Sequence, residues 1–269
     1  MNASVNSDRL TRIFKSPVVR IISAAVGLVA LYSSVTFFME GATAVKIGES
    51  EVRYDSSVEE SEAQALGNFL KQEGYFSDRP ATVRVSRDDG VIKVQLVRTD
   101  EAVRDTSTDH VFSFFAAAIS QRVFGGARTV ICIANTELKN DREIEAMDIG
   151  THVSLKKSDV YIKDGVTEAQ AASVVATLTE GSADDLDMII QVSKPGGQPL
   201  VRIVADRTIV DSSPNLSRIF TATAMTLSQT VFDGSPVSIE LCDAGFKGFL
   251  SVSSSGDSSA PKMPQVPAL

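Results

Sequence analysis

The stretch SQRVFGG at residues 120–126 returns as SQTVFDG at residues 228–234, 108 positions later. In each copy it closes an apolar set at helical spacing: Phe112, Phe115, Ala116, Ile119 and Val123 in one, Phe220, Thr223, Ala224, Leu227 and Val231 in the other. Gly126 and Gly234 then stand where a helix stop is wanted. The same register runs backwards from here, because Val52, Val58, Glu60, Ala63 and Leu70 recur 108 positions on as Val160, Val166, Glu168, Ala171 and Leu178. After a one-residue deletion, Glu73, Gly74, Val85, Ser86, Gly90, Val94 and Val97 recur 107 positions on as Glu180, Gly181, Val192, Ser193, Gly197, Val201 and Val204. Chance does not hold a register over so long a span, so the chain carries a duplicated module.

Within each module the periods agree with one another. EVRYD and DVYIKD place apolar residues two apart, Val52 with Tyr54 and Val160 with Ile162, which suits a half-buried strand. Ser57 with Glu60 and Thr167 with Gln170 have capping-box spacing, and Ala63, Leu66 and Leu70 then repeat on one helical face. TVRVS, the turn Asp88 to Gly90 and IKVQLV read as a hairpin, matched by MIIQVS, the turn Lys194 to Gly197 and PLVRIV. TVICI and VSIEL supply last strands. The order strand, helix, strand, strand, helix, strand predicts an α+β fold of two tandem ferredoxin-like (βαββαβ) modules, at residues 50–139 and 158–247. The connector, 140–157, mixes charges with Ile144, Met147, Ile149, Val153 and Leu155, and the Ser- and Pro-rich tail 251–269 reads as disordered.

Ahead of the modules, residues 21–39 form an uncharged run of 19 residues, nearly enough as a helix to match a hydrocarbon core of about 30 Å. Arg9, Arg12, Lys15 and Arg20 precede it against Asp8 alone, so the positive-inside bias predicts a cytoplasmic segment 1–20, a single transmembrane helix at 21–39 and extracytoplasmic modules. A cleaved signal is the rival, since Ala42, Thr43 and Ala44 resemble a cleavage site, but its apolar region would exceed the usual length of about 7 to 15 residues. The whole chain carries −8, and residues 40–250 carry −11 once the basic amino-terminal stretch and the neutral tail are set aside. That balance argues against nucleic acid as a partner.

No motif identifies a reaction. His110 and His152 lack the constellation that nucleophilic or acid–base catalysis needs, and both read as surface histidines. Cys132 and Cys242 fall in non-equivalent positions of the last strands, as free thiols or as an intermodule disulfide. The Gly125–Gly126 and Gly196–Gly197 pairs end a helix and a hairpin rather than cradle phosphate, and Asp184, Asp185 and Asp187 lack the pattern of a calcium loop. No cofactor and no metal are expected. RNA-binding domains of this strand order stack bases on aromatics of the central strands, whereas the outward positions here are Arg53, Lys93 and Gln95 in one module and Tyr161, Leu200 and Arg202 in the other.

The repeated Glu-Gly after the first helix, the VFGG and VFDG after the second and the closing IELCD resemble a duplicated module of bacterial membrane-anchored proteins of uncharacterised role. The resemblance covers residues 51–247, more weakly in the first module, whose last strand ends IAN. It implies a membrane-anchored protein of the bacterial cell envelope, carries no known active site and transfers no residue role. The expected function is therefore a non-enzymatic binding or assembly platform, with a small-ligand sensor and an extracytoplasmic hydrolase as alternatives. Strand alternation assigns Arg53, Arg84 and Lys93 to one sheet face of the first module, a basic patch on an acidic body that suits a protein or other anionic envelope partner.

Overall fold

The computed structural model describes residues 43–76, 80–97, 103, 105–135, 140–180, 186–255 and 258–259, and the chain divides between Asp148 and Ile149 into two compact units. The first contains β1 (Thr43–Ile47), β2 (Ser50–Tyr54), helix α1 (Glu60–Gln72), β3 (Thr82–Asp88), β4 (Val91–Val97), helix α2 (Asp109–Arg122), β5 (Thr129–Ala134) and β6 (Asn140–Glu145). The second repeats the series as β7 (Thr151–Leu155), β8 (Ser158–Ile162), α3 (Glu168–Thr179), β9 (Ile189–Ser193), β10 (Leu200–Val204), the short α4 (Arg207–Asp211), α5 (Leu216–Thr230), β11 (Ser238–Cys242) and β12 (Gly248–Ser253), with a two-residue β13 (Ser258–Ser259) at its edge.

The ferredoxin-like expectation is corrected by the strand order. The first sheet has six strands in plain sequence order, β1 to β6, and the second has seven, β7 to β13, also in order. A ferredoxin-like sheet interleaves its strands. Here each helix instead joins parallel neighbours, β2 to β3, β4 to β5, β8 to β9 and β10 to β11, while the remaining pairs are antiparallel. Both helices of a unit lie against the same sheet face: the Phe69 and Phe115 rings of α1 and α2 meet at 5.6 Å, and Arg122 reaches Glu73 at 2.8 Å. Two crossovers that step the same way from oppositely running strands, with both helices on one face, must have opposite hands. The interleaved topology would have let both obey the right-handed rule.

The extra strands come from segments that the six-element reading placed outside the modules. The stretch 140–157, expected as a connector, supplies β6 and β7, and the supposed tail begins inside β12. The repeat register reaches that far, since Val45 and Val153 are 108 apart, as are Ile144 and Val252. No helix of the described residues is long and apolar enough to cross a membrane. The membrane helix expected at 21–39 lies outside the described residues, as do residues 1–20, Gly181, Asp184, Asp185 and the chain beyond Ser259.

Alternation builds the core. Val45, Val52, Val83, Leu96 and Ile133 sit side by side across five strands, and Val153, Val160, Ile190, Ile203 and Leu241 form the equivalent row in the second unit. All but the half-buried Val153 are buried, each worth about 1.5–3 kcal/mol. Helix α1 comes so close to the β1–β2 hairpin that a Cβ on Gly67 would stand 2.5 Å from Ile47 Cγ1. Thr167 and Gln170 form the expected capping box, each side chain accepting from the other's backbone N–H at 3.2 Å. In the first unit Glu59 and Glu62 take that role, because Ser57 instead binds Asp55 and accepts from the Arg87 N–H. The repeated SQxVF segment ends α2 and α5 alike: Phe124 and Phe232 turn into the core, and the Gly126 and Gly234 N–H groups donate to the Ser120 and Ser228 carbonyls.

If the two copies share one core, Phe112→Ala and Phe220→Ala should each cost about 3–5 kcal/mol in denaturant unfolding, while a change at exposed Lys71 stays within about 0.5 kcal/mol. Equal tolerance at all three positions would contradict the shared core.

Candidate binding faces of the two sheets

The sheet face turned away from the helices carries the chemistry. In the first unit one line of register partners crosses it as Ala44, Arg53, Arg84, Gln95, Cys132 and Glu143. Lys93 is on the same face one step along, opposite Ser86 and Val130. Strand alternation therefore brings Arg53, Arg84 and Lys93 to one surface. Arg53 and Arg84 are direct register partners there.

Acids are woven through this patch. Glu51 takes Arg53 Nε and Lys46 Nζ, each at 2.7 Å, and Lys93 Nζ lies 3.2 Å from Asp88 and 3.7 Å from Glu143. Arg128 and Glu145 add a further pair at 2.5 Å. Burial by itself raises the Glu51 carboxyl, but the hydrogen bonds from Lys46 and Arg53 outweigh it and hold the group below its ordinary value. A carboxyl lowered in this way stabilises the fold above its unfolded pKa, and that contribution fades as pH falls through the lowered value. Beneath the charges, burial and the nearby Glu143 push the Cys132 thiol up to about 11.

The second unit has the same line in the same register, filled differently: His152, Tyr161, Gln191, Arg202, Glu240 and Ser251. Its members bind one another. His152 Nε2 lies 2.8 Å from Asp159 Oδ1, Arg202 donates through Nε to Glu240 at 2.8 Å and through Nη1 to Gln191 at 3.2 Å, and Gln191 donates to the Ile149 carbonyl at 3.0 Å. The outward reading of Tyr161 predicted a solvent-facing ring, whereas Tyr161 is 1% exposed and Gln191 4%. The His152 ring lies 5.3 Å from Tyr161, and Phe246, from the β11–β12 turn, stands edge-on to it at 6.4 Å. Neither Ile149 nor Phe246 belongs to a periodic pattern, so the strand sequence carried no sign that they approach this face.

The remaining candidates fall into place around these faces. His110 is in the first turn of α2, and His152 is a strand residue of β7 rather than part of a connector. Cys132 and Cys242 are buried free thiols. Among the described residues no group of three or more His, Cys, Asp or Glu side chains could hold a metal ion.

A family model, the AF_1994_N family N-terminal domain, matches the chain twice, at residues 44–146 and 152–254. The chain belongs to this family. The first match spans β1 to β6 and the second spans β7 to β12, so the AF_1994_N domain covers the six-strand series of each unit, including the hairpin strands β1 and β7, and leaves out only β13. No curated protein and no solved structure matches the chain.

The raised thiols can be checked directly. Burial and Glu240 push Cys242 further up than Cys132, so in native protein neither thiol should react with a disulfide reagent at neutral pH, and both should react once the chain is unfolded in urea. Alkylation of native Cys132 should rise only as pH approaches about 11. Fast labelling at pH 7 would show that the face above Cys132 is open.

Proposed function

We propose that the duplicated AF_1994_N unit serves as a non-enzymatic docking platform, in which the open sheet face of the first unit receives an acidic surface of a protein partner. The observation that carries this reading is the direct opposition of Arg53 and Arg84 across β2 and β3. Register pairing places both side chains on one face, with Arg53 also held by Glu51 at 2.7 Å. An anionic group lying across both would meet a fork of donors from each guanidinium, matched to carboxylate oxygens. The equivalent pair in the second unit is Tyr161 and Gln191, so the basic pair is not something the fold requires. Lys46, Lys93 and Arg128 extend the field at its margin, and the interleaved acids restrict the partners that fit.

The platform works at the outer side of a bacterial cell membrane. The uncharged run at 21–39, its basic approach and the resemblance to envelope proteins support that location. Protease added to spheroplasts should digest both units, and protection of both would place them inside.

Joint replacement of Arg53 and Arg84 by Glu tests the docking face. Chemical crosslinking to the protein neighbour in native membranes should be lost, while a cooperative unfolding transition is kept. In the unmutated protein, crosslinking should weaken as salt rises. Crosslinking that survives in the double variant removes this face from consideration.

A further inference from the structure

Each sheet of the described residues ends in two edge strands, and three of these four edges are blunted against pairing with another chain. Strand β6 carries Arg142, Glu143 and Glu145 and meets β5 through a register irregularity at Ile133 and Ala134. Strand β13 is only two residues long. Strand β1 carries Lys46, and its inward Val45 and Ile47 are both buried. Strand β7, Thr151–Leu155, has none of these devices: it holds no Asp, Glu, Lys, Arg or Pro and keeps an unbroken register with β8.

The apolar layer stops short at this edge. Val153 ends the row that continues through Val160 and Ile190, and both it and Leu155 are half-buried where Val45 and Ile47 are buried. In the first unit α1 closes on Ile47 through Gly67, whereas the residue 108 positions on is Val175, whose Cβ excludes the same approach. The backbone stops short too. The Asp159 and Lys163 N–H groups donate to the Met188 and Val192 carbonyls on the β9 side, at 2.8 and 3.0 Å, so alternation turns the polar groups of Ser158, Val160 and Ile162 to β7. Their register partners are Leu155, Val153 and Thr151, which leaves the N–H and C=O groups of His152 and Ser154 directed off the edge.

We infer that the β7 edge pairs with the β7 edge of a second copy of this chain, antiparallel about a two-fold axis at Val153. An axis normal to the sheet keeps the apolar faces of both copies on one side. It sets Val153 beside the second copy's Val153 and Thr151 beside its Leu155, so the apolar row runs on across the seam. His152 and Ser154 fall opposite Ser154 and His152 of the other copy, where their outward N–H and C=O groups satisfy one another. Neither strand brings a charge to the seam, and at its ends the exposed Lys156 and Lys157 of one copy come to the side from which the other enters through exposed Asp148. The interface belongs to the second unit and does not depend on the basic face of the first.

Ser154→Pro removes an N–H that the β7–β8 ladder does not use, a substitution that edge strands accept. Sedimentation of the full chain in mild detergent should show a dimer that dissociates on dilution, and Ser154→Pro should be monomeric over the same range while keeping a cooperative unfolding transition. Two-fold pairing brings the Cα atoms of the two Val153 residues to about 4.5 Å, so Val153→Cys should form a disulfide-linked dimer on mild oxidation. Ser154→Cys is two residues out of register with itself, beyond the limit of about 7 Å, and should link at least about tenfold more slowly. Native Cys132 and Cys242 are buried and do not compete. A chain that is monomeric at every concentration overturns the inference. So does a dimer that survives in folded Ser154→Pro, or equal linking by the two cysteine variants. If Ser154→Pro does not fold, the cysteine variants decide the matter alone.

Discussion

Every feature of this molecule depends on one face of each sheet being apolar from edge to edge. Val45, Val52, Val83, Leu96 and Ile133 fall in line because the side-chain period of a strand is two, and a slip of one residue in any strand would turn its apolar set to the other side. Two helices must cover that face together, and their contact through Phe69, Phe115 and Arg122 fixes both to the same side. With the strands in plain order, that requirement outweighs the usual hand of one crossover in each unit. Helix coverage of a continuous apolar surface, worth some tens of kcal/mol across its rows, exceeds any preference carried by a single connection.

The same constraint leaves the opposite face free to vary. Duplication kept the inward positions nearly unchanged and let the outward line diverge completely, from Ala44, Arg53, Arg84, Gln95, Cys132 and Glu143 to His152, Tyr161, Gln191, Arg202, Glu240 and Ser251. One version is a lattice of half-exposed charges. The other is a closed polar network in which Gln191, buried at the centre, is satisfied by a carbonyl on one side and by Arg202 on the other. A buried amide without those partners would destabilise the sheet, so the second version forms a matched set that cannot be altered one residue at a time.

Much of this was legible in the sequence, and the misses have physical causes. Period and repeat register located the helices and the inner strands of each unit and put Arg53, Arg84 and Lys93 on one face, because alternation is a local property. Strands β1 and β7 were missed although Val45 with Ile47 and Val153 with Leu155 alternate, since each strand is short and is joined to its neighbour by two residues, Gly48 with Glu49 and Lys156 with Lys157. Strand order was misread because element order alone does not say whether a parallel pair is adjacent or split. Phe246 packs against Tyr161 and the Ile149 carbonyl accepts from Gln191; both come from segments outside the strands, at opposite ends of the unit's sequence, and no local pattern reports an approach of that kind. The ion pairs of Glu51 were open to inference from Lys46 and Arg53, one strand pairing and one alternation away, once β1 was recognised.

The helix layers diverged in the opposite sense to the sheet faces. Phe114, Ala117 and Ala118 on the outer side of α2 are buried, whereas their equivalents 108 positions on, Ala222, Met225 and Thr226 of α5, are exposed, Met225 at 49%. The first unit thus has a covered helix layer and a largely open, charged sheet face, while the second has an open helix layer and a closed sheet face. A helix whose middle is apolar on its outer side as well, as α2 is at Phe114, Ala117 and Ala118, is stable only where that side is also removed from water. In the first unit burial falls on the outer side of the helix layer, and in the second it falls on the sheet face. The two copies thus bury different outer layers around a common arrangement of apolar positions, and this is why their outer surfaces, rather than their fold, distinguish what each can bind.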